Sequence, residues 1–334
     1  MSPAQVGGTG VGRGPLCVGL DVGGTRLKAG LVDEAGQVVA TAHRDTPGRS
    51  VAAAVAEEAV VAVVEELLGH PAAVEQGVRA VGVAVAGLVD ASRGTVVFAP
   101  HLPWREVPLR DRLSARLSLP VLVDNDANAA AVAEHRFGAG IGESHLLLIT
   151  LGTGIGGALL TEGRLQRGRH GLAGELGHVQ VVPDGAACPC GNRGCWEQYA
   201  SGSVLRREGQ ELVRRGGPSS AALGRACGGD PDRLRGDDVT RLAREGDPAS
   251  RAILSEVGRW LGVGLSGAVA TLDPGTVVVG GGLSEAGDLL LDPARAALSR
   301  HLLGRGYRPA PLLVPAVLGV GAGLVGAAEL ARAQ

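Results

Sequence analysis

Lysine and aromatic rings are both scarce in this sequence. Lys28 is the single lysine among 32 basic residues, and Trp, Tyr and Phe make up 2% of 334 positions. So few rings exclude the base-stacking platforms that hold single-stranded nucleic acid. A surplus of either charge is missing too, since 32 Lys and Arg stand against 34 Asp and Glu for a formal charge of −2. No long-range field therefore draws the chain to nucleic acid or to an anionic membrane. The opening segment Met1–Leu16 has no apolar core of signal-peptide length and reads as a loose tail. Cysteine is limited to five residues, with Cys17 in an expected strand, Cys227 in an expected polar loop, and Cys188, Cys190 and Cys195 clustered within eight positions. An odd count so clustered is not the disulfide framework of a secreted domain, and a cytoplasmic protein is expected. One uncharged run reaches twenty residues, Pro309–Ala328, but it carries three prolines and four glycines. A buried strand over LLVPAVL followed by a small-residue helix ending at Glu329 accounts for it better than a membrane span.

What the chain does have is 45% apolar and 20% charged residues, the balance of a folding chain, and length enough for two domains. Glycine is abundant, 55 residues without a G-X-Y period, against a usual share of about 7%. Strands are expected at Leu16–Leu20, Ala29–Val32 and Val38–His43, the first two separated by a Gly-Gly-Thr turn. A helix capped by Ser50 is expected to run to Leu68. Strands at Ala80–Ala86 and Thr95–Phe98, a helix at Leu109–Leu117, a strand at Leu119–Val123 and a helix at Ala127–Phe137 follow. This alternation predicts an α/β fold with ligand groups at strand ends. About 130 residues on, His145–Leu151 runs into GTGIGG and resumes at Ala158–Leu160, repeating the opening pattern of strand, glycine turn and strand. The repeat predicts two related halves facing one cleft. Asp247-Pro248 opens a long helix to Ala270, and Thr276–Val279 is a strand running into Gly280, Gly281 and Gly282.

Three glycine segments and one acidic segment carry candidate chemistry. Asp21-Val-Gly-Gly-Thr-Arg-Leu-Lys28 leaves the first strand, with Gly23, Gly24 and Thr25 able to bring backbone N–H groups to phosphate oxygens. Asp21 could hold hydrated Mg²⁺ beside them. The pattern is neither a P-loop nor GxGxxG, and a plain hairpin turn describes it equally well when it is taken alone. Lys28 lies seven residues after Asp21, in chain heading for the second strand rather than a helix, so it is not the clamp lysine of a P-loop. It either attracts a phosphate-bearing ligand from nearby or is a solvated strand-end lysine. Gly152, Thr153 and Gly154 could form a second phosphate cradle, and Gly280–Gly282 could make room for a base or ribose or simply turn the chain. Asp124-Asn125-Asp126-Ala-Asn128 mixes carboxylates and amides at a strand end. That mixture suits a site that orients a polyol and deprotonates one hydroxyl; its plainer reading is a capped helix start.

His178, Cys188, Cys190 and Cys195, spaced by ten, two and five residues, can wrap a tetrahedral Zn²⁺. Four protein ligands leave no open position for water, so such a zinc is structural. Glu175 and Glu197 flank the ligands and would be held rigid by the metal loop; alternatively they are solvated loop carboxylates.

In order, DVGGTRLK, VDNDANAAA, GTGIGG, HGLAGELGH and CPCGNRGCWEQYAS resemble the ROK family of sugar kinases and repressors over more than half the chain. The resemblance implies a two-domain, hexokinase- and actin-like (ribonuclease H-like) α/β fold with its active-site cleft between the domains. Residues 15–123, completed by the C-terminal helix at about 316–334, would form one domain, and 124–315, with the zinc loop 178–195, the other. It implies Asp126 as the catalytic base and Asn125, Asp126, Glu175, His178 and Glu197 as sugar contacts, His178 using its second ring nitrogen for zinc. Asp21, Gly23, Gly24, Thr25, Thr153 and Gly280–Gly282 match the family's phosphate and nucleotide segments. Two positions depart from its pattern. His101, in Ala99-Pro100-His101-Leu102-Pro103-Trp104, stands where Asn is usual, and Arg26 stands where lysine often follows DxGGT. Family repressors place a DNA-binding domain before this first strand; twenty residues precede Asp21 here, so a kinase is expected. The expected reaction is ATP-dependent phosphorylation of glucose at the 6-hydroxyl with Mg²⁺, by a homodimer or homotetramer without nucleic-acid or membrane partners. The alternatives are a kinase for another hexose or an N-acylhexosamine, such as N-acetylglucosamine, N-acetylmannosamine, fructose or mannose, and a non-catalytic sugar sensor. Asp126 and the glycine turns count against the sensor.

Overall fold

The computed structural model describes residues 14–334. The tail before them, expected to be loose, lies outside the described residues. The first sheet takes β1 (Leu16–Val22), β2 (Arg26–Val32) and β3 (Val38–Asp45), then helices α1 (Ala53–Leu68) and α2 (Pro71–Gln76) intervene before β4 (Val78–Val85). A small three-stranded sheet, β5 (Leu88–Val89), β6 (Val96–Phe98) and β7 (Arg105–Val107), precedes α3 (Leu109–Leu117), β8 (Val121–Asn125) and α4 (Asp126–Phe137). The main sheet has the order β3-β2-β1-β4-β8, antiparallel across β1–β3 and parallel across β1, β4 and β8.

The second sheet repeats the plan. It is built from β9 (Leu146–Leu151), β10 (Ile155–Thr161) and β11 (Arg164–Gln166), followed by helices α5 (Gly202–Arg215), α6 (Ala221–Ala226), α7 (Gly236–Glu245) and α8 (Pro248–Leu272). Then come β12 (Thr276–Gly280), α9 (Asp288–His301), β13 (Leu312–Pro315) and α10 (Ala322–Arg332). Its order is β11-β10-β9-β12-β13, with β12 parallel to both β9 and β13. In each sheet a strand, a glycine turn and an antiparallel return precede the parallel neighbours, as the repeated pattern predicts.

The chain divides into two compact units, one comprising the chain up to Ala133, Arg169–Gly171 and Gly321–Gln334, the other Glu134–Gly168 and Leu172–Val320. The first thus extends past the expected limit at residue 123. The reason lies in α10. Its Gly326 packs so closely on the Ala129 carbonyl of α4 that a Cβ would overlap it, which ties the first turns of α4 to this unit. In β1 both faces are buried. Leu16, Val18, Leu20 and Val22 join the core formed with α1 and α3. On the other face, Gly19 of β1 and Gly82 of β4 lie against the Leu324 and Ala327 carbonyls of α10 with no room for a side chain. The glycines of β1 and β4 therefore let the backbone of α10 rest directly on the sheet. Among the described residues no helix is long and apolar enough to cross a membrane.

Several elements differ from expectation in detail. Helix α1 starts at Ala53 with Ala52 as its N-cap and no side-chain capping bond, so Ser50 lies in the preceding turn. Strand β8 begins two residues late because Pro120 has no N–H to give; its carbonyl accepts the Val81 N–H instead. LLVPAVL is not a buried strand: β13 pairs only with β12, and Leu312 is 66% exposed. An edge strand tolerates the proline that ends it. Cys227 is not in a polar loop but is buried behind α6 in the second core. All five cysteines are free thiols.

Candidate functional site

In the first unit the site residues gather at the C-terminal ends of the parallel strands. Asp21 in β1 is level with Ala84 in β4, and Ala84 with Asp124 in β8. Asp21 and the DNDAN segment thus share one sheet edge with a single strand between them, about 10 Å apart at the usual strand spacing. This is where ligands bind in open α/β sheets.

Asp21 is cross-strand partner to Lys28. Burial pushes its carboxyl above the ordinary aspartate value, against the opposing pull of Lys28. The turn that follows is anchored by the Gly23 N–H to the Arg26 carbonyl at 3.2 Å and by the Thr46 hydroxyl to the Gly23 carbonyl at 2.8 Å. His101 packs against this turn: a Cβ on Gly24 would come within 2.8 Å of the His101 Cβ.

The DNDAN carboxylates are not equivalent. Asp124 is 2% exposed, and its Oδ1 accepts the Asn125 N–H and the Asn128 Nδ2–H, both at 2.9 Å. Asp126 is half-buried at the first position of α4, with Oδ1 accepting the N–H of Ala127 at 2.9 Å. Asn125 does what a cap residue does. Its Oδ1 accepts the N–H groups of Ala127 and Asn128, and its Nδ2 donates to the Gly87 carbonyl at 3.1 Å. The plainer reading of the segment holds: Asn125 caps the helix, Asp124 is tied to Asn125 and Asn128, and Asp126 is half-buried in the first turn.

In the second unit, the Gly152 N–H donates to the Gly154 carbonyl at 3.1 Å, and the Gly202 N–H, opening α5, donates to the Gly152 carbonyl at 2.8 Å. Gly152, Thr153 and Gly282 line one cavity of about 410 Å³, so two of the glycine segments converge. Gly154 and Gly280 lie outside its lining. Arg206 from α5 and Arg235, just before α7, also face it. Sequence reasoning did not single out these arginines, because they come from two helix starts that only the fold brings beside the glycine turn.

The histidine and three cysteines come together as expected, with one ligand atom from each of His178, Cys188, Cys190 and Cys195 within 4.8 Å of the others. The Cys190 and Cys195 sulfurs are 3.7 Å apart, and Cys188 Sγ is 3.7 Å from His178 Nδ1. Tetrahedral zinc with Zn–S bonds of about 2.3 Å demands S–S edges of about 3.8 Å, so the donor set fits the metal. The carboxylates sit around the same histidine. Glu197 Oε1 is 3.8 Å from Nδ1, and Glu175 Oε2 is 3.9 Å from Nε2. Burial raises the Glu175 carboxyl above its ordinary value, His178 opposes this and Glu197 adds to it. Glu197 also reaches the glycine turn, where only the missing side chain of Gly154 leaves room for its Oε2.

Comparison with known proteins bears on this geometry. The ROK family pattern matches residues 17–334. A glucokinase from Streptomyces coelicolor is 44% identical over 318 residues, 95% of this chain and 98% of that protein. The crystal structure of a ROK family glucokinase from Streptomyces griseus in complex with glucose and AMPPNP superimposes with a TM-score of 0.86. It is 44% identical, and the match covers 96% of this chain and 100% of that one. A xylose repressor from Bacillus subtilis is 28% identical over 94% of this chain but only 76% of its own length. With the fold, the strand-end carboxylates and the Cys/His cluster in place, the chain belongs to the ROK family.

Proposed function

We propose that this protein transfers the γ-phosphoryl group of ATP to the 6-hydroxyl of glucose. The observation that carries the reading is the division of labour in DNDAN: Asp124 is buried and tied to Asn125 and Asn128, while Asp126 keeps part of its surface exposed at a helix start. A sugar sensor needs no such base. The 44% identity to glucokinases, one of them crystallised with glucose and AMPPNP, supports the choice of substrates.

In this reading Asp126 accepts the proton of the 6-hydroxyl as its oxygen attacks the γ-phosphorus, and the bond from that phosphorus to the β,γ-bridging oxygen breaks to release ADP. Asn125, Glu175, His178 and Glu197 orient the sugar. The backbone of Gly23, Gly24 and Thr25 and that of Gly152, Thr153 and Gly154 cradle the phosphates, with Gly280, Gly281 and Gly282 beside the nucleoside. Asp21 would hold hydrated Mg²⁺, which would supply positive charge against the phosphates. Lys28, opposite Asp21, adds positive charge without clamping the γ-phosphate. His178, Cys188, Cys190 and Cys195 would hold a structural zinc that fixes the loop carrying Glu175, His178 and Glu197, and the metal itself would take no part in the chemistry. The family resemblance further supports a cytoplasmic homodimer or homotetramer, which light scattering of the purified protein checks.

The test is a coupled ADP-release assay with glucose, mannose, fructose, N-acetylglucosamine and N-acetylmannosamine. Glucose should give the highest kcat/KM. Preference for an N-acylhexosamine would move the assignment to another kinase of the family, and no turnover with any sugar would favour a sensor.

A further inference from the structure

We infer that Arg206 and Arg235 hold the purine ring of the phosphoryl donor by stacking their guanidinium planes on it. The inference rests on the kinase reading above and concerns the nucleoside end of the same donor. The cavity containing Gly152 and Thr153 has a volume of about 410 Å³, within the roughly 300–1,000 Å³ typical of small-molecule sites. Its wall contains no aromatic side chain, in keeping with the aromatic poverty of the chain. Leu205 and Leu283 are its large apolar contributions, and both are buried, so each offers little surface to a flat ring.

The planar groups available there are guanidinium groups. Of the four arginines lining the cavity, two are already committed. Arg241 pairs with Glu245 at 3.1 Å and Asp238 at 3.4 Å, and Arg244 donates to the Glu285 carbonyl. Arg206 has no ion-pair or side-chain hydrogen-bond partner among the described residues; Arg235, the N-cap of α7, donates its backbone N–H to Asp238 Oδ2 at 3.1 Å and has no ion-pair partner among them; both are exposed. Two exposed, planar cations without an ion-pair partner, in a pocket without rings, are suited to cover a purine, by stacking and by cation–π attraction. Phosphates have their own provision in the glycine turn. The Asp237 and Glu285 carboxylates in the same wall make the arginine side a poorer place for further negative charge.

The experiment uses the full-length enzyme and the variants R206A, R235A and R206A/R235A. Cation–π contacts at exposed sites correspond to about two- to fivefold in affinity each. KM for ATP should therefore rise about two- to fivefold in each single variant and about five- to twentyfold in the double variant. Turnover at saturating ATP and KM for glucose should stay within about twofold of wild type, because stacking the base is uniform binding. Adenosine as a competitor should weaken by the same factor as ATP, while inorganic tripolyphosphate should inhibit unchanged. R206K/R235K should fail to restore the ATP KM, since ammonium keeps the charge and loses the plane. Parallel weakening of tripolyphosphate, or rescue by lysine, would show a charge clamp on phosphate and overturn the inference. So would unchanged adenosine inhibition in the double variant. If the wild type phosphorylated no sugar, the kinase reading would fall separately; calorimetric binding of adenosine to wild type and double variant would still decide the role of the arginines.

Discussion

Asp124 and Asp126 are two residues apart and chemically unlike. Both carboxylates are visible in the sequence, but not which of them is buried, because that depends on the Asn128 amide folding back on Asp124. Replacing Asp126 by Asn keeps the shape and removes the proton acceptor. General-base catalysis is worth about 10²–10⁴-fold, so kcat should fall at least about a hundredfold while glucose still binds, as steady-state kinetics and calorimetry together would show. Asp21 makes a different case. Its folded-state pKa is raised, so the folded chain favours the protonated carboxyl. That contribution to stability is present below the ordinary aspartate value and is lost as pH rises through the raised one. At neutral pH the buried charge is a cost that Asn does not bear. Asp21→Asn should therefore melt at or above the wild-type temperature at pH 7, with the gap closing in acid. Its Mg²⁺-dependent turnover should nonetheless drop by about a hundredfold. Lys28→Arg keeps the cation opposite Asp21 and should hold kcat within about fivefold. A larger loss in Lys28→Arg than in Asp21→Asn would mean that the first turn works through a lysine clamp.

Helix α10 shows what pattern reading can and cannot reach at the level of an element. Its existence was legible as a run of small uncharged residues, but its seat was not. That seat depends on Gly19 and Gly82, more than two hundred residues earlier, which read locally as ordinary strand positions. Gly82→Val would place a branched side chain into the Ala327 carbonyl and lift the helix from β4. Overpacking of this kind costs about 1–3 kcal/mol, and contact with backbone rather than a yielding side chain puts it at the upper end. The urea midpoint should fall accordingly, with Gly48→Ala, exposed and with open space for a Cβ, as a comparison for the loss of glycine alone. Glu134 was invisible for the same reason. It reads as a solvated helix residue, yet it is fully buried and accepts the N–H groups of Ala139, Val317 and Leu318. Local periodicity carries no information about donors some 180 residues away. The arginines of the donor cavity escaped in the same way.

For the molecule as a whole, the repeated strand–turn–strand pattern and the Cys/His spacing were the most legible features, because each is set by short-range geometry. The metal cluster also connects parts of the second unit that are distant in sequence. His178 contacts Glu175 on one side and Glu197 on the other, and Glu197 fills the space left by Gly154 in the second glycine turn. The three thiols are not alike: burial raises Cys188 and Cys195, while at Cys190 burial is outweighed by hydrogen bonds from the Asn192 N–H and the neighbouring thiols, which lower it. Zinc binding would displace the thiol protons and tie the four side chains into one rigid node. About one Zn²⁺ per chain is expected by elemental analysis after dialysis against metal-free buffer. Cys190→Ser removes an exposed ligand with little change in packing, so its effect reports on the metal rather than on a cavity. It should lose the zinc, melt at a lower temperature and raise KM for glucose, as Glu175, His178 and Glu197 drift. The ATP KM should rise too, by a smaller factor, because the disturbance reaches the Gly152–Gly154 turn only through Glu197. Cys227→Ser, a buried thiol outside the cluster, should keep the metal and both KM values even if it lowers the melting temperature. Active protein that contains no zinc, or a Cys190→Ser enzyme with unaltered sugar affinity, would separate the cluster from the sugar site.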